Sequence, residues 1–230
     1  MQDILKSKMA KSKKTEIKTE LENLTSTESF IDKYKKIFII GGIAIVVIII
    51  GIIGYQSFIS GPHEEESREV YWNAFYEFEK DSLDAAINGS NEYEGMQSIA
   101  DDYAGTSGGN IATYALGIAA MEKGEYQEAI NHFEDCDFED IIIGSLVIGL
   151  QGDCYVELDQ YDKAVSLFES AANREQNDFT TPMFLMKAGI VYEAQDNGAK
   201  ALVAYEKIKN DWPKSEEAVG IERYISRVKN

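Results

Sequence analysis

The chain has 230 residues, 22 Lys and Arg against 40 Asp and Glu, a formal charge of −18, and 44% hydrophobic residues. So acidic a surface repels phosphate backbones, which speaks against nucleic acid as a partner. Two histidines, His63 and His132, and two cysteines leave little for metal chemistry; His132 and Cys136 share a helix face at i, i+4, but two ligands do not make a zinc site, and neither metal nor cofactor is expected.

Residues 1–36 carry nine lysines (Lys6 to Lys36) against six acids, so everything after them holds 13 bases against 34 acids, about −21. This head reads as a mobile tail, with a short helix starting near Ser26 or Thr27 and running into Lys36. Ile37 to Gly54 follows as eighteen uninterrupted apolar residues, about 27 Å of helix at about 1.5 Å per residue, enough to cross a hydrocarbon core. A cleaved signal has a shorter apolar region and small residues at its cleavage site. Here bulky Phe58 stands before Ser60, so the segment 37–60 reads as an uncleaved anchor. The eighteen residues after Pro62 hold only Arg68 and Lys80 as bases, and the lysine excess before the anchor places the N-terminus in the cytoplasm and the rest outside. Gly41, Ala44 and Gly51 form a strip of small residues on the anchor helix, which suits close approach of a second membrane helix.

Residues 61–108 read as membrane-proximal helices and a possible degenerate first repeat. Glu64 to Lys80 is a helix with Val70, Tyr71, Ala74, Phe75 and Phe78 as its apolar stripe. A Gly-Ser-Asn loop then leads to a helix near Glu94 to Tyr103. Within 109–214 three segments fall into register: Gly117 with Ala129 and Phe133; Gly152 and Tyr155 with Ala164 and Phe168; Gly189 and Tyr192 with Ala201 and Tyr205. Glycine to alanine is twelve residues each time, and the glycines are 35 and 37 apart. This is the pattern of the 34-residue tetratricopeptide repeat, with Pro213 as its closing proline. The fold expected is all-α: one transmembrane helix, then an array of about three repeats with flanking helices. The spacing implies that each glycine meets the alanine of the partner helix, and that the aromatic residues fill the gap to the next unit. Residues 215–230 are expected to cap the array, with a helix starting at the Ser-x-x-Ala of 215 and a stripe of Val219, Ile221, Tyr224, Ile225 and Val228.

Arrays of this kind bind on the face lined by the first helix of each pair. That face holds Ile111, Tyr114, Ile118 and Met121, then Leu146, Asp153 and Val156, then Met183, Met186 and Ile190. Acidic points fall at Glu122, Asp153, Glu157 and Glu193, without the Lys, Arg and Asn set that clamps a carboxylate terminus. Methionines make adaptable apolar surfaces, and acids beside them suit a segment with apolar and basic residues. Cys136 and Cys154, in an exported domain, could bridge, but they fall in different units and are expected as buried free thiols.

A cytoplasmic stub, one anchor and IADDYAGTSGGNIATYALGIAAMEKGEYQEAI followed by two further repeats resembles the ancillary subunit of the bacterial Sec translocon. The stretches NDFTTPMFLMKAG and EKIKNDWPKS are similar to Bacteroidetes-type versions. The resemblance implies a single-pass inner-membrane protein with a periplasmic repeat domain. Its implied partners are the Sec translocon, a membrane-anchored periplasmic chaperone of the prolyl-isomerase type, and exported polypeptides. A rival reading is a scaffold for division or envelope assembly that oligomerises through its repeats. Without a Ser-His-Asp, Cys-His or phosphate-loop constellation, no enzyme and no small-molecule substrate are expected.

Overall fold

A computed structural model describes residues 34–37, 39–80 and 83–229. The expectations for the head before Tyr34 lie outside the described residues. The chain divides into two units, 1–61 and 62–230. In the first, α1 (residues 39–55) passes into a π-helical turn, Gln56–Ser60. Pro62 follows, and a proline has no backbone N–H to return to the preceding turn. Among the described residues the helical run Tyr34–Phe78 is the one long and apolar enough to cross a membrane, with a window of mean hydropathy 3.1 that nothing in the structure buries.

The second unit opens with α2 (Gly61–Glu79), α3 (Leu83–Asn88) and α4 (Met96–Asp102). The α2 stripe forms as expected: Ala74 is fully buried and Val70, Tyr71, Phe75 and Phe78 pack around it with Met96, Ile99 and Leu116. Three helical hairpins come next: α5 (Ser107–Glu122) with α6 (Tyr126–Glu134), α7 (Ile141–Glu157) with α8 (Tyr161–Arg174), and α9 (Thr180–Ala194) with α10 (Gly198–Asp211). The three turns inside the hairpins are alike. The middle residue is left-handed in each, Gly124 at φ 76°, Asp159 and Asp196 both at 56°. The next N–H reaches back five residues, from Glu125 to Ala120, Gln160 to Tyr155 and Asn197 to Tyr192, each at 2.8 Å. This is the Schellman closure, and it reverses the chain in three residues.

The spacing rule of the repeats holds, but the contact behind it differs from expectation. A β-carbon at Gly117 would lie 2.5 Å from the ring of Phe133, one at Gly152 would lie 2.7 Å from Phe168, and Gly189 faces Tyr205 in the same way. Each glycine therefore seats the aromatic side chain of its own hairpin, four residues beyond the alanine. The reason is that a long helical side chain leans toward the N-terminus of its helix and covers the turn below. Ala129, Ala164 and Ala201 are all fully buried beside these rings. Between hairpins it is Gly149 that is pressed by a ring, that of Phe184, which stacks on Phe168 at 6.2 Å.

The closing segment also departs from expectation. The Ser215 hydroxyl accepts from Ala218 N at 3.2 Å and holds a turn; turns then continue to Gly220, left-handed at φ 78°, and only after it does α11 (Ile221–Val228) begin. Val219, expected in the apolar stripe, is 80% exposed, whereas Ile221 and Ile225 are buried against the last hairpin.

Candidate partner-binding surfaces

The face lined by the first helices is built by α5, α7 and α9. On it Tyr114 is half-buried, its ring centroid 6.0 Å from Phe133 and 6.1 Å edge-on from Phe138. Burial pushes its phenol up from the ordinary value. Ile118 and Met121 pack beside it on the same cluster. Val156, Met183 and Met186 are half-buried against the larger core of the last two hairpins. Ile190 stands outside every core cluster and is 46% exposed.

The acidic points are less free than the sequence suggests. Lys187 donates to both carboxylate oxygens of Asp153, at 2.7 and 2.6 Å. Arg227 donates to both oxygens of Glu193, at 2.7 and 2.6 Å, and the Tyr205 hydroxyl adds a third bond at 2.5 Å. Those donors, the Arg227 bond first, hold the Glu193 carboxyl below its ordinary value. Glu157 lies beside the Tyr126 hydroxyl, and its charge raises that phenol. Glu122 is exposed and has no ion pair among the described residues. Sequence reasoning missed Lys187 and Arg227. The signal was available, because each base stands 34 residues after its acid, one repeat length, and equivalent positions of successive repeats are neighbours.

The shared geometry of the hairpins continues on their second helices. Tyr155 lies under Lys163 at 4.8 Å and Tyr192 under Lys200 at 5.0 Å, with the Tyr192 hydroxyl donating to Glu169 at 2.6 Å. Pro213 is exposed just past the end of α10. Cys154 is fully buried on α7, and Cys136 is half-buried two residues past α6; both are free thiols. Burial raises them to about 11 and about 12. On α1, a β-carbon at Gly41 or Gly51 would meet nothing within 4 Å, so this face is open among the described residues.

A second surface was not foreseen. A cleft of about 1040 Å³ opens where α4 and the start of α5 face the end of α6 and the segment after it. Its position follows from how α5 begins. Glu64 accepts from Ser107 N at 2.9 Å, Ser67 Oγ from Gly108 N at 3.3 Å, and Thr106 Oγ1 from Gly109 N at 3.1 Å. Three of the four orphan donors of α5 are thus capped, two of them by α2. Gly108 presses on the backbone of Ser67 and Gly109 on that of Tyr103, approaches that leave no room for a side chain. Residues from four separate stretches meet in this cleft, and no local pattern in the chain announces it.

Residues 150–177 and 184–215 match the tetratricopeptide repeat family. Among curated proteins none matches the chain. Among solved structures, a crystal structure of MamA is similar at 17% identity, with a TM-score of 0.50 over 68% of this chain and 94% of that one. A putative kinesin light chain from Podosopora anserina with nearly identical TPR-like repeats is similar at 14% identity, with a TM-score of 0.53 over 72% of this chain and 86% of that one. At these identities the likeness is one of fold. Residues 150–177 and 184–215 are thus tetratricopeptide repeats within a helical array of tetratricopeptide-like fold, and such repeats indicate an adaptor for protein partners.

Proposed function

We propose that this chain is a membrane-anchored adaptor whose repeat domain lies in the periplasm, associates with the Sec translocon and a membrane-anchored prolyl-isomerase-type chaperone, and assists exported polypeptides. The observation that carries the reading is the joining of a wholly exposed apolar helix, mean hydropathy 3.1, to an array of protein-binding repeats. In water such a helix is an aggregation site; in lipid it is a span. The lysine excess before it favours a cytoplasmic N-terminus. The open small-residue face of Gly41, Ala44 and Gly51 offers a second membrane helix a close approach.

The test is co-purification of the full chain from detergent-solubilised membranes, with bound proteins identified by mass spectrometry. Recurrent recovery of a Sec channel subunit or a periplasmic isomerase supports the reading, and Gly41→Leu with Gly51→Leu is expected to reduce it. Recovery of division or envelope-assembly proteins in their place sinks it.

A further inference from the structure

We propose that the cleft beside the start of α5 is a docking site for a partner segment in which lysine or arginine alternates with apolar residues. This goes beyond the adaptor reading and does not need the translocon to be the partner. The cleft has an apolar floor and an acidic rim. Ala100, Ile111, Leu116 and Phe138, buried or half-buried, are the apolar part of the lining and form the floor. Glu64, Asp101, Asp135, Asp137 and Glu139 contribute carboxylates to the lining, and among the described residues no lysine or arginine lines it. Glu64 is occupied by Arg68 at 3.1 Å; the other four have no ion pair among the described residues.

The rim is also held in place before anything binds. The Asn110 amide donates to Asp137 O at 2.6 Å and accepts from Asp137 N at 2.9 Å. That bond pair uses the Asp137 backbone and leaves its carboxylate for a ligand. From the other side Arg174 donates to Phe138 O at 2.6 Å and to Asp140 O at 3.3 Å, with its guanidinium seated on Gly144. A rim fixed at both ends loses little entropy on binding. Charge complementarity then selects the occupant: uncompensated carboxylates over an apolar floor reward a base flanked by apolar side chains. At about 1040 Å³ the cleft has room for several side chains.

The test uses the full chain in detergent and fluorescence anisotropy of a short fluorescein-labelled peptide alternating lysine and leucine. The near-isosteric triple variant Asp135→Asn, Asp137→Asn, Glu139→Gln is expected to weaken binding by about tenfold. A control triple that removes the same charge elsewhere, Asp178→Asn, Glu216→Gln, Glu217→Gln, is expected to leave it within about twofold of the parent. Should the cleft triple fail to fold, Asp135→Asn alone must still weaken binding. Equal losses in both triples, unchanged binding in the cleft variants, no binding by the parent, or equal affinity for an all-lysine peptide would each overturn the proposal.

Discussion

Gly152 and Phe168 are in contact so close that a β-carbon on the glycine would stand 2.7 Å from the ring. The pair recurs as Gly117 with Phe133 and Gly189 with Tyr205, so each hairpin is keyed by one ring lying in one gap. Gly152→Leu is expected to overpack this crossing and cost about 1–3 kcal/mol. Thermal melting checks it, and an unchanged midpoint contradicts the geometry.

Gly124 is needed for a different reason. Nothing lies within 4 Å of its missing side chain, but its φ is 76°. Gly124→Ala should therefore cost about 1–2 kcal/mol through backbone strain alone. Gly124→Asp should cost less, because the two equivalent turns already hold Asp159 and Asp196 in that conformation. Equal melting temperatures for the two variants would contradict this account.

The repeats could be read from the sequence because small residues at fixed spacing are a strong constraint: close helix crossings admit little else, whatever the rest of the chain does. Which group fills each gap was not legible, since glycine–alanine and glycine–aromatic contacts share one helical register and differ only in side-chain direction. The late start of α11 was hidden for a similar reason. A serine hydroxyl capping Ala218 looks the same in sequence whether a helix or a turn follows, and the left-handed Gly220 decides between them. The cleft was illegible in principle, because Gln97 on α4, Ile111 on α5 and Glu139 after α6 approach only through the packing of separate helices.

Asp153 and Lys187 tie α7 to α9 across the face of the array, yet their side chains are 31% and 38% exposed. Water screens such a pair, so its coupling should be below about 1 kcal/mol. A double-mutant cycle with Asp153→Asn and Lys187→Met, read by denaturant unfolding, measures it directly. The coupling should shrink in high salt; a value that is large and salt-independent would mean the pair is buried in solution.

Acid should loosen the capping end. The Glu193 carboxyl sits below its ordinary value of 4.5, first because Arg227 donates to it and then because Tyr205 does. A carboxyl with a lower pKa folded than unfolded adds stability above the unfolded value, and that stability disappears as pH falls from about 4.5 through the folded value. Glu64, held down mainly by its bonds from Ser107, adds to the same acid limb at the other end of the domain. Glu193→Gln should melt at a lower temperature near neutral pH and fall less steeply below pH 4.5. A parallel acid limb in parent and variant would remove Glu193 from the explanation.

Both thiols should be inert in the folded chain. Burial raises Cys136 to about 12 and Cys154 to about 11, so almost no thiolate exists near neutral pH. A thiol reagent without reductant is expected to report almost nothing from native protein and two thiols per chain in denaturant. Fewer than two after unfolding would reveal a bridge.

That inertness makes the orientation of the chain measurable. A cysteine placed at Glu216, exposed on the turn before α11, would be the one reactive thiol of the repeat domain. In the proposed topology a membrane-impermeant maleimide labels Glu216→Cys in intact spheroplasts and reaches Ser7→Cys only after lysis. The lysine-rich head drives this expectation: moving nine positive charges outward across the membrane opposes the bias that retains Lys and Arg on the cytoplasmic side. Labelling of position 7 but not of position 216 in intact cells would put the repeats in the cytoplasm, where neither a periplasmic isomerase nor an emerging exported chain could reach the array.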